Sequence, residues 1–276
     1  MKTIVAVSVI IPCFRCAKTI ERALRSVAAQ TCLPAEVILV DDASGDNTRA
    51  VLREQQAGYD SGWIKLVLLD QNLGAGSARN SGWAVASQPL IAFLDADDAW
   101  HFRKIEIQFS YMMANPDVAL CGHGHRLLKQ GILPYWAVQK PVAIRQHKWR
   151  MILSNRFVTP SAMIRRDTEH RFEERQRYME DHMLWLKVVC SGAKVVKLPV
   201  ELAAIYKNPF GVTGLSSQVW LMERSDLGNY QRLYQRGSIK RWQLSVLAAY
   251  SVLKYLRRLM IYLIYLRWKT KRPTNP

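Results

Sequence analysis

The feature that most constrains this chain is an apolar run over residues 90–94 that stops at three carboxylates, Asp95, Asp97 and Asp98. A strand buried on both faces, as in a parallel sheet, has such a continuous apolar sequence. Ligands of open parallel sheets bind beyond the carboxyl ends of the strands, which is where these carboxylates stand. If the chain stays extended, Asp95 and Asp97 point to the same side. Their hard oxygen atoms suit Mg or Mn, and the alternative is an acidic turn exposed to water.

Other apolar stretches alternate with segments of helical periodicity. We predict strands at 5–11, 36–40, 64–69 and 90–94, and helices that begin near residues 20, 48 and 77. Pro12 is expected to end the first strand. This alternation favours βαβ units and a parallel sheet. The other predicted elements are helices at 103–113, 148–153 and 180–189, strands at 118–121, 161–164, 195–198 and 202–206, an irregular segment at 122–146 and a loop at 211–215.

The positive charge of the chain is concentrated at its carboxyl end. The 276 residues have a net charge of +17, and after Asp226 there are eleven Lys and Arg residues and no Asp or Glu. Such a charge favours a polyanionic partner. With 49% hydrophobic residues, the chain can bury a large core. We therefore predict an α/β domain over residues 1–217 and a basic helical region over residues 218–276, which is broken near Gly237.

Residues 238–268 have the composition of a basic amphipathic helix, with neither Gly nor Pro. Apolar residues recur at 246, 249, 253, 256, 260 and 263, basic residues stand at 254, 257 and 258, and aromatic residues stand at 242, 262, 265 and 268. This pattern suits an anionic membrane surface, and the alternative is packing on the domain or in a homodimer. No stretch of roughly 18 residues is free of charge, so no membrane span is predicted. No nucleic-acid partner is expected, because no nucleic-acid motif is present.

The cysteines give no sign of a disulfide framework. They are Cys13, Cys16, Cys32, Cys121 and Cys190. An odd, scattered set indicates a reducing compartment, so we expect a cytoplasmic protein. Cys13 and Cys16 have the spacing of a redox motif, and Cys121 precedes two histidines in a sequence suited to a soft metal. We rank both roles below structural ones, because neither motif has the helix start or second ligand cluster that such sites need.

The predicted strands end in polar clusters that should gather at one edge of the sheet. These clusters are residues 12–15, residues 41–42 and residues 95–97. They combine an aromatic ring, carboxylates and a place for a cation, which are the parts that a nucleotide diphosphate needs. Residues 74–79 resemble a fragment of a dinucleotide fingerprint. Arg79 in that segment would contact phosphate or, equally well from its spacing, lie exposed on the helix.

Four motifs stand in the order and spacing of a known family. They are residues 7–15 (VSVIIPCFR), 40–46 (VDDASGD), 78–80 (ARN) and 93–98 (FLDADD). With this combination the chain resembles the family-two inverting glycosyltransferases of the GT-A fold, over about residues 5–215. The resemblance implies an α/β, Rossmann-like mixed sheet flanked by helices that binds a nucleotide diphospho-sugar, here followed by the basic C-terminal helices.

The resemblance also implies how the sugar donor is bound. Pro12 and Phe14 would line the nucleoside slot. Asp42 would accept a hydrogen bond from the imide of the base. Arg79 would lie near the nucleotide or its phosphates, and Asp95 would approach the ribose.

The remaining implied roles concern the chemistry. Asp97 would hold Mn or Mg on the diphosphate. Asp181, in the Glu180-Asp181 pair at a predicted helix start, would take the proton from the acceptor hydroxyl. From the residues alone, Asp181 is equally well explained as an acid favoured by the helix dipole. His182 beside it is expected to have no catalytic role.

We therefore expect an inverting, metal-dependent transferase that moves a sugar, most simply from a UDP-sugar, to a hydroxyl of a glycan or lipid-linked acceptor in lipopolysaccharide or capsule synthesis. It would lie at the inner face of the cell membrane as a peripheral protein. Arg15 departs from the family pattern, which usually has Asn there. The Gln-x-x-Arg-Trp motif of processive synthases is absent. The alternative function is a non-catalytic nucleotide-sugar-binding protein or a scaffold on the membrane surface.

Overall fold

The computed structural model describes residues 2–206 and 219–270. Within it, the chain divides into two compact units, Met1–Asn208 and Pro209–Pro276. The described part of the first unit is an α/β sheet, and that of the second is a pair of helices. The predicted boundary between residues 217 and 218 and the predicted loop at 211–215 lie outside the described residues.

Strands and helices alternate through the first half of the α/β unit. The elements are β1 (Thr3–Cys13), α1 (Ile20–Ala28), β2 (Cys32–Asp41), α2 (Thr48–Ala57), β3 (Ile64–Leu68), α3 (Ala75–Val85) and β4 (Leu90–Phe93). β1 pairs in parallel with both β2 and β4, and β2 pairs in parallel with β3. The predicted βαβ arrangement is confirmed, and the carboxyl ends of these four strands lie at one edge of the sheet.

The second half of this unit makes the sheet mixed. Its elements are β5 (Ala99–Trp100), α4 (Lys104–Ala114), β6 (Val118–Leu127), β7 (Ile144–Gln146), α5 (Lys148–Leu153), a 3-10 helix (Thr159–Ser161), β8 (Met163–Arg165), α6 (Glu180–Cys190) and β9 (Lys194–Ile205). β8 is antiparallel to β4 and β6, and β6 is parallel to β9. The strand order is β3-β2-β1-β4-β8-β6-β9-β5, with β7 paired to β9. The predicted mixed sheet flanked by helices is confirmed.

Several predicted strand limits are wrong. Pro12 lies inside β1, opposite Val40. A proline is tolerated there because the pairing of β1 with β4 ends at Ile10, so no β4 residue needs an N–H from residue 12. The segment predicted to be irregular begins with the extension of β6 to Leu127, and the two predicted closing strands form the single strand β9. These strands are long because β6 and β9 pair with each other, a distant contact that local propensity does not report.

α3 packs closely on the centre of the sheet. A Cβ atom at Gly82 would lie 2.6 Å from Cγ2 of Ile10, so only glycine fits without displacing the strand. Phe93, at the end of β4, is the centre of an aromatic cluster. Its ring centroid lies 5.5, 5.3 and 6.5 Å from those of Trp83, Phe172 and Trp185. Because Trp185 is on α6, this cluster holds α6 against the end of β4.

The second unit consists of α7 (Val219–Gln235) and α8 (Arg241–Thr270). Just after α7, Gly237 has a φ of +68°, which allows the backbone N–H of Ser238 to donate to the carbonyl of Leu233 at 2.8 Å and closes the end of the helix. This break confirms the predicted interruption near Gly237. Buried Asp226 of α7 accepts hydrogen bonds from Ser251 and Lys254 of α8, each at 3.3 Å. Part of the basic charge predicted to face a membrane is therefore used to join the two helices.

The apolar residues that recur along α8 are exposed wherever their side chains are described. Val246, Leu253, Leu256 and Met260 have 59%, 65%, 49% and 60% of their surface exposed. Among the described side chains of α8, the buried ones, Leu247 and Ser251, lie on another face. The side chains of Arg258, Tyr262, Leu263, Tyr265 and Trp268 lie outside the described set. Within residues 2–206 and 219–270, no helix combines the length and the low charge that crossing a bilayer requires.

Candidate active site

The loops that follow β1 and β2 are joined by hydrogen bonds. The backbone N–H of Arg15 donates to Ser44 Oγ at 3.1 Å, and that of Cys16 donates to Thr48 Oγ1 at 3.1 Å. Arg15 and Ala43 have φ angles of 48° and 53°, a left-handed conformation that is costly for residues other than glycine. The predicted aromatic residue of this edge, Phe14, has 46% of its surface exposed. Phe14 therefore stands partly exposed just past the carboxyl end of β1, with the guanidinium of Arg15 5.2 Å from its ring centroid.

The two adjacent aspartates after β2 serve different contacts. Asp41 is fully buried and forms an ion pair with Arg49 at 2.6 Å. Asp42 accepts hydrogen bonds from the backbone N–H groups of Leu73 and Gly74, at 2.8 and 2.9 Å. Both oxygens of Asp42 thus hold the loop that leads into α3. Its predicted contact with the base of a nucleotide stays a prediction.

The acidic segment after β4 is a turn. The backbone N–H of Asp98 donates to the carbonyl of Asp95 at 3.0 Å, so the chain is not extended here and forms the turn that was the alternative interpretation. Arg22 of α1 donates a hydrogen bond to the backbone carbonyl of Asp97. The guanidinium of Arg22 also lies 3.9 Å from the ring centroid of Tyr206. Distant segments therefore fix the backbone that carries the predicted metal ligand Asp97.

Arg79 lies buried between two carboxylates. Its Nη2 donates to Asp95 at 2.7 Å, and its Nη1 donates to Glu180 at 3.0 Å. Only 3% of its surface is exposed, so the interpretation of Arg79 as an exposed helical arginine is wrong. Its guanidinium also lies 5.3 Å from the ring centroid of Phe172. Arg79 thus joins the turn after β4 to the start of α6. Its predicted proximity to phosphate stays a prediction.

Glu180 is the first residue of α6 and follows Met179, which has a left-handed φ of 55°. Burial raises the pKa of Glu180 to about 7, Arg79 lowers it, and the neighbouring Asp181 raises it. A Cβ atom at Gly76 in α3 would lie 3.2 Å from Cγ of Glu180, so the lack of a side chain there leaves room for the carboxylate. The first turns of α3 and α6 therefore meet at Glu180.

Asp181 is held in place from three sides. The backbone N–H of the next residue, His182, donates to Asp181 Oδ1 at 2.6 Å. Thr159 Oγ1 donates to Asp181 Oδ2 at 3.3 Å, and Asn155 Nδ2 lies 3.4 Å from the same oxygen. The ring of His182 is buried, with Nε2 2.9 Å from the carbonyl of Met151. Asp181 is thus an oriented carboxylate, adjacent in sequence to the residue that Arg79 links to Asp95.

Sequence reasoning missed Asn155 and Thr159 as partners of Asp181, and Arg22 as the partner of Asp97. Asn155 and Thr159 stand in a segment without a motif, and Arg22 is an ordinary charged residue of an amphipathic helix. Glu180 was noticed only as the neighbour of Asp181. No local pattern marks such residues, because their partners are distant in sequence.

The thiols of the predicted redox pair are both buried. Burial and the neighbouring Cys16 raise the pKa of Cys13 well above its usual value. Redox-active thiols need the opposite shift, since the thiolate is the reactive form. Cys121 is also buried, and burial raises its pKa to about 12. Among the described residues, no three His, Cys, Asp or Glu side chains come together as a potential metal site.

The carboxylates after β4 nevertheless fit a cation that is bound together with a phosphate ligand. Mg, for example, is commonly held by one or two carboxylates and completes its coordination with water and substrate phosphates. Asp95 retains 31% side-chain exposure, although one of its oxygens is paired with Arg79. The hard oxygen atoms of Asp95 and Asp97 are of the type that Mg and Mn prefer.

Comparison with known proteins gives a family match. The model of Glycosyl transferase family 2 matches residues 8–172. The chain is 32% identical over 184 residues to UDP-Glc:alpha-D-GlcNAc-diphosphoundecaprenol beta-1,3-glucosyltransferase WfgD of Escherichia coli, covering 66% of this chain and 69% of that protein. It is 28% identical over 198 residues to the amylovoran biosynthesis glycosyltransferase AmsE of Erwinia amylovora, covering 68% and 70%. The match to the putative teichuronic acid biosynthesis glycosyltransferase TuaG of Bacillus subtilis, 37% over 128 residues, covers 46% of this chain and 50% of TuaG.

Solved structures of low sequence identity share the fold. S. aureus TarS 1-349 in complex with UDP-GlcNAc has a TM-score of 0.65 at 19% identity, covering 91% of this chain and 72% of TarS 1-349. The mannosyltransferase PcManGT of Pyrobaculum calidifontis, in complex with GDP-Man and Mn2+, has a TM-score of 0.65 at 17% identity, covering 96% and 83%. The family model matches more than half of the chain, and the sheet matches transferase structures. The chain therefore belongs to glycosyl transferase family 2 and has the GT-A fold.

Proposed function

We propose that this protein transfers one sugar from a UDP-sugar to a hydroxyl of a glycan or lipid-linked acceptor in the synthesis of a cell-surface polysaccharide. The names of its relatives support this proposal, because WfgD is named for a UDP-Glc donor and a diphosphoundecaprenol acceptor. AmsE and TuaG are named for the biosynthesis of amylovoran and teichuronic acid.

The observation that supports catalysis most strongly is the chain of contacts from Asp95 through Arg79 to Glu180. It joins the turn after β4, where the donor diphosphate would lie, to the residue beside Asp181. A base and a leaving group on opposite sides of one sugar are what a single inverting displacement needs. In the proposed step, Asp181 takes the proton of the acceptor hydroxyl. The acceptor oxygen bonds to the anomeric carbon as the bond to the diphosphate breaks, and the nucleoside diphosphate leaves.

The donor would lie along the carboxyl ends of β1, β2 and β4. Phe14, partly exposed two residues after Pro12, offers an aromatic ring for the base, and Asp42 stands at the next strand end. Asp97, with Asp95, would hold Mn or Mg, which would supply positive charge to offset that of the leaving diphosphate. Arg79 would keep Asp95 and Glu180 at a fixed separation.

The central test is Asp181→Asn in a transfer assay with a panel of UDP-sugars and an isolated lipid-linked acceptor fraction. We expect at least a thousandfold loss of transfer with UDP affinity unchanged, since the substitution removes the base but no proposed donor contact. Asp117→Asn is the matched control, because Asp117 is 62% exposed and pairs with Lys194. Equal transfer by the two variants would favour the alternative, a nucleotide-sugar-binding protein without catalysis.

We also propose that α8 binds the inner face of an anionic membrane as a peripheral element. Its exposed apolar residues share one side of the helix with exposed Trp242, and exposed Arg257 flanks them. No acid follows Asp226 to offset the basic charge. An apolar face bordered by basic residues is the form of an interfacial helix.

Vesicle sedimentation tests this membrane contact. Leu253→Ser combined with Leu256→Ser should weaken binding to anionic vesicles at least tenfold, because two large apolar side chains no longer enter the lipid, at roughly 1 kcal/mol or more each. Ile4→Ser, at a position 69% exposed in the other unit, serves as control. If the double variant instead converts a dimer to a monomer and leaves vesicle binding unchanged, the exposed face is a subunit interface and the membrane proposal is wrong.

A further inference from the structure

An open pocket of about 300 Å³ lies near Asp181 and shares Asn155 with the contacts of that carboxylate. It is lined by His125, Asn155, Arg156, Phe157, Val158 and Lys197. Asn155 belongs both to the pocket wall and to the contacts of Asp181, from which its Nδ2 lies 3.4 Å. A molecule in this pocket would therefore be one side chain away from the proposed base.

Basic groups dominate this pocket. Lys197 donates to the backbone carbonyl of Arg156 at 3.0 Å, so the two cationic residues are adjacent. Nε of Arg156 is buried without a hydrogen-bond partner among the described residues. Of the six described lining residues, none is acidic. The nearby Glu201 forms an ion pair with Arg126. Such a site gains from an anionic ligand, which relieves the repulsion between the cations.

The titration of the lining groups agrees with this arrangement. Burial lowers the pKa of Lys197, and the charges of Arg156 and Arg150 lower it further. Burial and the charge of Lys197 lower the pKa of His125, whereas Glu201 raises it. Both shifts reflect positive charges held close together at a partly buried place.

Exposed apolar side chains stand on two segments adjoining the lining residues, β7 and α5. Ile144 of β7 pairs directly with Lys197 of β9, so both side chains lie on the same face of the sheet. Ile144 is 45% exposed. On α5, which leads directly to Asn155, Trp149 and Leu153 are 44% and 40% exposed. The cationic lining thus has exposed apolar side chains on adjoining segments, a combination that suits an anion attached to a hydrocarbon chain.

We propose that this pocket binds the phosphate or diphosphate of a lipid-linked acceptor, with the sugar attached to it lying between the pocket and Asp181. The assignment rests on the proposed glycosyltransferase function and names the class of its acceptor: a sugar phosphate or diphosphate of a long-chain alcohol. The attacking hydroxyl then belongs to the same sugar that bears the phosphate. The acceptor phosphate takes no part in bond making, and it positions that hydroxyl at Asp181.

The test measures binding of geranyl diphosphate to protein saturated with UDP, at constant Mg, so that the donor site is already filled. We expect binding to the wild type and at least a tenfold loss in Lys197→Met. Lys197→Arg, which keeps the charge, should restore affinity to within about threefold. Lys194→Met is the matched control on the same strand and should bind as the wild type does, because Lys194 pairs with Asp117 outside the pocket.

Inorganic pyrophosphate, measured in the same way, distinguishes a lipid headgroup from a free phosphate. Tighter binding of geranyl diphosphate supports a lipid-linked acceptor, whereas equal affinities overturn that part of the proposal. Absence of geranyl diphosphate binding, or equal losses in Lys197→Met and Lys194→Met, overturns the pocket assignment. UDP binding to the wild type distinguishes failure of the pocket assignment from failure of the proposed function. If UDP binds and geranyl diphosphate does not, the pocket assignment is wrong and the transferase proposal stands. If UDP itself does not bind, the proposed function is wrong.

Discussion

Replacing Glu180 by Gln should make the protein more resistant to unfolding at alkaline pH than the wild type. The side chain of Glu180 is only 12% exposed, and its pKa is raised from an ordinary 4.5 to about 7, by burial first. A carboxyl with a raised pKa favours folding while it is protonated. Its contribution is therefore complete below pH 4.5 and is lost as the pH rises through about 7. Gln imitates the protonated carboxyl at every pH and can still accept a hydrogen bond from Arg79.

The size of the effect follows from the linkage between pKa and stability. One pKa unit corresponds to about 1.4 kcal/mol, so a rise from 4.5 to about 7 corresponds to roughly 3 kcal/mol once the group is fully ionised. We expect Glu180→Gln and the wild type to differ by no more than about 1 kcal/mol at pH 5, the scale of one changed hydrogen bond. By pH 8.5 the variant should have gained roughly 3 kcal/mol relative to the wild type.

Urea denaturation, followed by tryptophan fluorescence at intervals from pH 5 to 8.5, measures this difference in the free energy of unfolding. The contributions of carboxylates that both proteins share cancel in the difference. Glu36→Gln is the control, because Glu36 is a buried carboxylate whose pKa is lowered, whereas that of Glu180 is raised. Burial would raise the pKa of Glu36, but hydrogen bonds from Lys65, Ser8 and Ser87 hold it at about 2. Its variant should lose stability by a nearly constant amount across this range, because Glu36 is ionised throughout. A pH-independent difference for Glu180→Gln, or one that turns against the variant at high pH, would refute the reasoning.

Two further predictions concern packing and the orientation of the proposed base. Gly82→Ala should lower the free energy of unfolding by roughly 1–3 kcal/mol in urea denaturation, because its Cβ would lie 2.6 Å from Ile10 Cγ2. Gly228→Ala, in α7 with its nearest contact at 3.5 Å, should instead raise it by up to roughly 1 kcal/mol. Thr159→Val removes the hydroxyl that donates to Asp181 and should lower kcat about tenfold with the donor KM unchanged. Thr159→Ser keeps a hydroxyl at this position and should restore kcat. A change in donor KM instead would contradict this role of Thr159.

Much of the fold could be predicted from local sequence patterns. The apolar run that ends at residue 94 is a buried strand, and the alternation before it forms parallel βαβ units. Glu180 does begin a helix, and Gly237 does interrupt the C-terminal helices. These features depend on periodicity and on backbone preferences within a few residues, which a sequence displays directly.

The site could be predicted only in part. The motifs brought Asp95, Arg79 and Asp181 to attention, but not the ion pair of Arg79 with Glu180 across 101 residues. The turn at Asp95 was only one of two interpretations, since an alternating acidic sequence fits a strand end and a turn equally well. The apolar repeat of α8 was compatible with a membrane surface or with packing, and only the structure shows that its described residues are exposed.

The sequence by itself determined the class of the fold, the family and the edge of the sheet at which charged residues gather, because strand ends and motif spacing are local properties of the chain. Only the tertiary structure decided which charges meet. Arg79 became a buried link between two carboxylates, and Lys197 and Arg156 came to share a pocket beside Asp181. The energy of a charged group depends on its burial and on neighbours from distant segments, and these are set when the sheet is assembled.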